Sequence, residues 1–101
     1  MYGHQLIRTY EAVRALGLTE SRKQFSLRWC GKGEDLLRDY ARREGAAARV
    51  DPRTVARIRE RLAEAGRLLP PDLAVQLSEI DAGIERDLYV ADLLGRRAAR
   101  G

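Results

Sequence analysis

Arg38 and Arg42 stand four residues apart, one helical turn, so that on a helix both guanidinium groups project the same way. A guanidinium is planar, permanently charged and donates as a fork, which fits a guanine edge or a phosphate. Asp39 sits between the two as an acceptor, and Arg43 beside them can lie against a phosphate backbone. Upstream, Arg22, Lys23 and Gln24 are spaced for phosphate contacts, with Lys32 following in a turn. Glu34 and Asp35 accept from cytosine amino groups or cap the helix they open. Downstream, Arg49 and Arg53 flank a helix start, where free backbone amides and two guanidinium groups could hold a phosphate. The chemistry that this set suits is recognition of a DNA duplex. Arg22, Lys23 and Lys32 would position the backbone, while Arg38, Asp39 and Arg42 would read bases.

Bond-making chemistry has no comparable support. His4 is the sole histidine and stands where it would cap or meet solvent. Cys30 is the sole cysteine, so it has neither a disulfide partner nor companions for a metal site, and it reads as a small buried apolar residue. GKGEDL at residues 31–36 lacks the rest of a phosphate-binding loop, and no strand pattern precedes it. No nucleophile elbow or framed carboxylate pair appears. The expectation is a chain that is not an enzyme and uses no cofactor and no metal.

The elements that must position the arginines centre on residues 21–40, SRKQFSLRWCGKGEDLLRDY. Phe25 and Trp29 share one helical face, with the small Ser26 between them where a second helix can approach. Gly31 and Gly33 bracket a turn, since glycine leaves a helix through a left-handed conformation at little steric cost. Glu34 and Asp35 suit the positive end of the next helix, and Leu36, Leu37 and Tyr40 supply its buried stripe. This layout is a helix-turn-helix, with helices expected at residues 20–30, capped by Thr19, and at residues 34–44, the recognition helix ending at Glu44.

The segment resembles the helix-turn-helix of phage-repressor-like bacterial regulators. More narrowly, it resembles the small regulators of bacterial genomes and prophages that carry a phenylalanine-serine pair before a tryptophan and a glycine turn. With Gly31 as the turn glycine, Leu27 takes the small-residue position, Cys30 the apolar position before the turn, and Leu37 and Tyr40 the anchors of the second helix. Alternatively, Phe25, Ser26 and Trp29 form the core of the first helix, with a turn one residue longer. The resemblance implies a repressor-like fold and a transcriptional regulator of bacterial or mobile-element origin. It covers residues 21–40 directly and more of the chain only through helix order.

In the rest of the chain, residues 4–16 form a first helix with Leu6, Tyr10, Val13 and Leu16 at helical spacing, ended by Gly17. Residues 46–50 read as a short loop. Asp51 then Pro52 signal the start of a fourth helix whose stripe is Val55, Ile58 and Leu62, and which Gly66 ends. Arg53, Arg57, Arg59 and Arg61 cover its other faces, more than Glu60 and Glu64 can pair. Residues 68–71 are a proline-stiffened linker. The fifth helix, residues 72–94, carries the stripe Leu73, Leu77, Ile80, Ile84, Leu88 and Ala91. That stripe either braces the domain or pairs with a second copy, and a homodimer reading two half-sites is the expectation, with Gly83 easing close approach. The tail of residues 95–101, with Arg96, Arg97 and Arg100, is expected to fray.

Length and charge agree with one small domain: residues 1–67 as the DNA-binding core, then the linker, then residues 72–101. Of 101 residues, 45% are hydrophobic and 34% charged, which excludes wholesale disorder and suits a solvated surface. Residues 1–67 hold 15 Lys and Arg against 9 Asp and Glu, a net of +6, whereas residues 68–101 hold 4 against 6, a net of −2. The basic part is the part with the helix-turn-helix, and 17 of the 19 basic residues are arginine. No apolar run approaches the roughly 20 residues of a membrane span, and the first residues lack a signal-peptide pattern. The sequence therefore predicts an all-α protein of five helices, cytoplasmic and nucleoid-associated, with double-stranded DNA as partner. The alternative partner is a transcription-machinery subunit or co-regulator, held by the same scaffold acting as an adaptor.

Overall fold

Leu6, Tyr10 and Val13, three and four residues apart, all turn inward from α1 (Gly3–Ala15), because that spacing keeps them on one helical face. In the computed structural model the described residues are 1–42 and 45–100, with side chains described through 94. Among them the order is α1, α2 (Arg22–Arg28), α3 (Leu36–Ala41), a 3-10 turn (Gly45–Ala47), α4 (Pro52–Leu68) and α5 (Pro71–Arg100). The fold is all-α with a long C-terminal helix, and among the described residues its one sheet-like feature is an isolated antiparallel bridge between Tyr2 and Arg49. Gly17 ends α1 at φ +79°, and Gly31 ends the α2 segment at φ +65°, both in the left-handed region that glycine enters most easily.

The core joins all five helices. Phe25, Leu37, Ile58, Leu77 and Ile84 are each 1% exposed or less, one or more from every helix but α1, which adds Leu6 and Val13 at 0%. Phe25 meets Tyr10 edge-on at 5.5 Å and stacks on Trp29 at 5.9 Å, so the three rings tie α1 to the end of α2.

Several boundaries differ from the sequence reading. α2 begins at Arg22, not residue 20, because the cap is Ser21: its hydroxyl accepts the Gln24 amide at 3.2 Å. Thr19, 3% exposed, is a buried residue and not the cap. α3 is six residues long; Glu34 and Asp35 lie in the turn before it, and Arg42 leaves helical geometry at ψ 151°. Glu44 lies outside the described residues. Gly66 does not stop α4, which runs on to Leu68. A Cβ at Gly66 would meet no atom within 4 Å, so no close packing requires glycine there.

Only Leu69 and Pro70 separate α4 from α5, so α5 must fold back antiparallel. The register centres on Pro70: Arg59 and Asp81, each eleven residues away, meet at 2.8 Å. α5 also lies on α1, where Arg8 reaches Asp87 at 3.2 Å. This overturns the expected dimer seam. Leu77, Ile84 and Ala91 are buried within the chain, Ile80 and Leu88 pack on the same core, and Leu73 is half-buried. The stripe is saturated by α1 and α4 and is not free for a second copy. Gly83 is half-buried beside the stripe and lies in no seam within the chain.

Candidate nucleic-acid interface

Ser26 links α2 to α3. It is fully buried and donates its hydroxyl to the Arg22 carbonyl at 2.8 Å, within its own helix. The same oxygen accepts the Leu37 amide at 3.3 Å, and the Ser26 carbonyl accepts the Lys32 amide at 3.0 Å. Asp35, at the cap position of α3, makes no side-chain cap bond. The first amides of a helix lack partners within it, and the Leu37 amide takes its partner from the preceding helix instead. Phe25, Ser26 and Trp29 are all buried. Leu27, 53% exposed, does not occupy a packed small-residue position.

The outer face of α3 then presents Arg38, Asp39 and Arg42 to solvent. None of the three has an ion-pair partner among the described residues. Arg42 stands just past the last helical turn, so it extends from the end of the face and not from its middle. Arg43 lies outside the described residues. Arg22 and Lys23 are exposed on the first turn of α2, on the other side of the hinge.

The remaining expected contacts are drawn into the structure. Gln24 is half-buried and its carboxamide oxygen accepts the Glu20 amide at 2.8 Å, which completes the α2 cap instead of reaching a phosphate. Glu34 and Asp35 are exposed but precede α3, so they are not positions on a groove-facing helix. Lys32 pairs loosely with Asp51 at 3.8 Å, an exposed contact that holds it only weakly. The phosphate cradle expected at Arg49 and Arg53 is closed: the Asp51 carboxylate accepts the Arg53 amide at 2.9 Å and fills the helix start with negative charge. Arg49 lies over the Tyr2 ring at 5.8 Å.

The surplus arginines of α4 prove to have distinct roles. Arg59 pairs with Asp81 at 2.8 Å and reaches Glu85 at 3.9 Å. The hydrogen bonds it donates to the Asp81 carboxylate hold the Arg59 guanidinium above its ordinary pKa. Arg61 lies over the Trp29 ring at 5.9 Å. Arg57, outside the expected set, is exposed against the turn: a Cβ at Gly31 would fall 3.0 Å from its Nε. It therefore adds a cation beside Lys32, and its signal in the sequence was only its place one turn into α4.

His4 Nδ1–H donates to the Ala46 carbonyl, 2.9 Å away, on the exposed side of α1. Cys30 is buried, and burial pushes its thiol up to about 12, so it is held protonated and unreactive. Among the described residues no three His, Cys, Asp or Glu gather to hold a metal ion, and no helix is long and apolar enough to cross a membrane.

No protein-family model matches the chain, and no curated protein and no solved structure matches it.

Proposed function

We propose that the protein is a sequence-specific DNA-binding regulator of a bacterial or mobile-element promoter, acting on the nucleoid in the cytoplasm. One observation carries this reading: a buried serine rivets α2 to α3, while Arg38 on the outer face of α3 and Arg42 just past its end are solvent-exposed and without ion-pair partners among the described residues. Rigid backing with unspent guanidinium groups is the arrangement that base-edge recognition requires. Arg22 and Lys23 supply phosphate contacts across the hinge, and Arg57 with Lys32 supplies them beside the turn. Selection from fragmented genomic DNA at two salt concentrations tests it. A discrete motif retained at higher salt supports the reading. Uniform binding that disappears with salt leaves only a basic surface.

A second reading is an adaptor that holds a transcription-machinery subunit or co-regulator. Its support is the exposed pair Glu34 and Asp35 immediately ahead of α3, which repels phosphate and suits a basic protein surface. Charge reversal of these two residues separates the readings: it strengthens DNA binding under the first and abolishes partner capture under the second.

A further inference from the structure

The face of α5 opposite the core repeats the core's own spacing. Inside, Leu77, Ile84 and Ala91 follow at seven-residue intervals; outside, Val75, Ala82 and Tyr89 do the same, with Glu79, Arg86 and Leu93 interleaved. Val75 is 58% exposed, Tyr89 64% and Leu93 41%. Single exposed apolar residues are ordinary, but a row at heptad spacing along about 27 Å of helix at 1.5 Å per residue is the pattern of a helix that meets another.

We infer that this outer face is the seam of an antiparallel homodimer, its occupant being α5 of a second copy. The row has two charged members, Glu79 and Arg86, and neither has an ion-pair partner in its own chain among the described residues. They lie two turns apart with Ala82 and Gly83 between them. A two-fold axis through that midpoint reverses the second helix and sets Glu79 against Arg86 of the second copy, and Arg86 against its Glu79. The same operation brings Val75 onto Val90 of the second copy, which is 51% exposed in the single chain. A parallel pair would instead oppose Glu79 to Glu79 and Arg86 to Arg86, so the charges select the antiparallel direction.

At the axis the side chains are smallest, which lets the two backbones come close. Arg86 is already poised there: a Cβ at Gly83 would lie 3.8 Å from its Nη2, so the guanidinium reaches back along the helix toward the midpoint. The body of each chain lies behind α5, on α4 and α1, and α3 packs on α1, α2 and the 3-10 turn, so the arginine face of α3 stays uncovered. Pairing of two copies through α5 is independent of whether DNA is the ligand.

Sedimentation equilibrium of the full chain over a concentration series tests it. The expected species is twice the 11.4 kDa chain mass. Glu79→Arg and Arg86→Glu each convert both attractive pairs into like charges and should raise the dimer dissociation constant about tenfold or more. The double variant, or an equimolar mixture of the two single variants, restores opposite charges and should return to within about threefold of the starting value. Circular dichroism of each variant verifies that the helices persist. A wild-type chain that is monomeric throughout overturns the inference. So does a dimer indifferent to both reversals, or one that they weaken and the restored pairing does not rescue.

Discussion

The Ser26 hydroxyl of α2 accepts the Leu37 amide of α3 at 3.3 Å while donating to the Arg22 carbonyl at 2.8 Å. One small side chain thus satisfies a helix-start amide that Asp35 leaves uncapped, and it does so inside the core, where water is excluded. This oxygen joins the two helices by a direct hydrogen bond.

Ser26→Ala removes the acceptor and leaves a buried donor unpaired, at a cost of about 1–3 kcal/mol. Ser26→Val adds overpacking at a fully buried site and should cost more. Urea unfolding with an unchanged slope measures both. A loss under about 0.5 kcal/mol for the alanine variant would show that the amide finds another partner.

Trp29 is 6% exposed, stacked on Phe25 and overlaid by Arg61. Trp29→Ala should destabilise the fold by about 3–5 kcal/mol. Because it is the sole tryptophan, its emission also reports unfolding of the parent chain, and a native spectrum already characteristic of a water-exposed indole would contradict its burial.

Leu77→Ala and Ile84→Ala should each cost about 2–5 kcal/mol, since both side chains close the core from α5. Tyr89→Ser, on the outer face, should change the stability of the isolated chain by about 0.5 kcal/mol or less. Equal losses on the two faces would place the core on the wrong side of α5.

Arg38→Ala and Arg42→Ala should weaken specific DNA binding by about 1–3 kcal/mol per lost base contact while the melting temperature holds. Neither side chain supports the fold, both being exposed without ion-pair partners among the described residues. Anisotropy titrations on a selected motif measure the loss, and unchanged affinity in both variants moves the interface elsewhere.

Burial raises the Cys30 thiol from an ordinary 9.0 to about 12 in the folded chain. Between these values the unfolded chain releases a proton that the folded chain keeps, so the contribution of Cys30 to stability is complete below pH 9.0 and declines as pH rises toward 12. Unfolding of the parent and of Cys30→Ala, compared across that window, should show a steeper alkaline loss in the parent. Matching slopes would mean that the thiol titrates normally.

Much of this fold is legible in the residues themselves. The stripes of α1 and α4, the left-handed glycines 17 and 31, the Asp51-Pro52 start and the burial of Phe25 and Trp29 all follow from local rules of periodicity and backbone sterics. The exposure of Arg38 and Arg42 follows too, since they alternate with Leu37 and Tyr40 around one turn. Short elements are less legible: α3 is six residues long, its Leu37 amide is capped from Ser26, eleven residues away, and a window of a few residues does not contain that bond.

The sequence by itself determined that α5 has an apolar stripe, but not what would cover it, because a brace and a dimer seam demand the same periodicity. Tertiary structure decided the matter through the two-residue connection at Leu69 and Pro70, which returns α5 along α4, and through Arg59–Asp81 and Arg8–Asp87, which hold it in register. It likewise decided which polar groups are spent. Gln24 looks like a ligand contact in the chain, but in the fold its carboxamide oxygen accepts the Glu20 amide just ahead of α2, while Asp51 caps α4 as its place before Pro52 predicts.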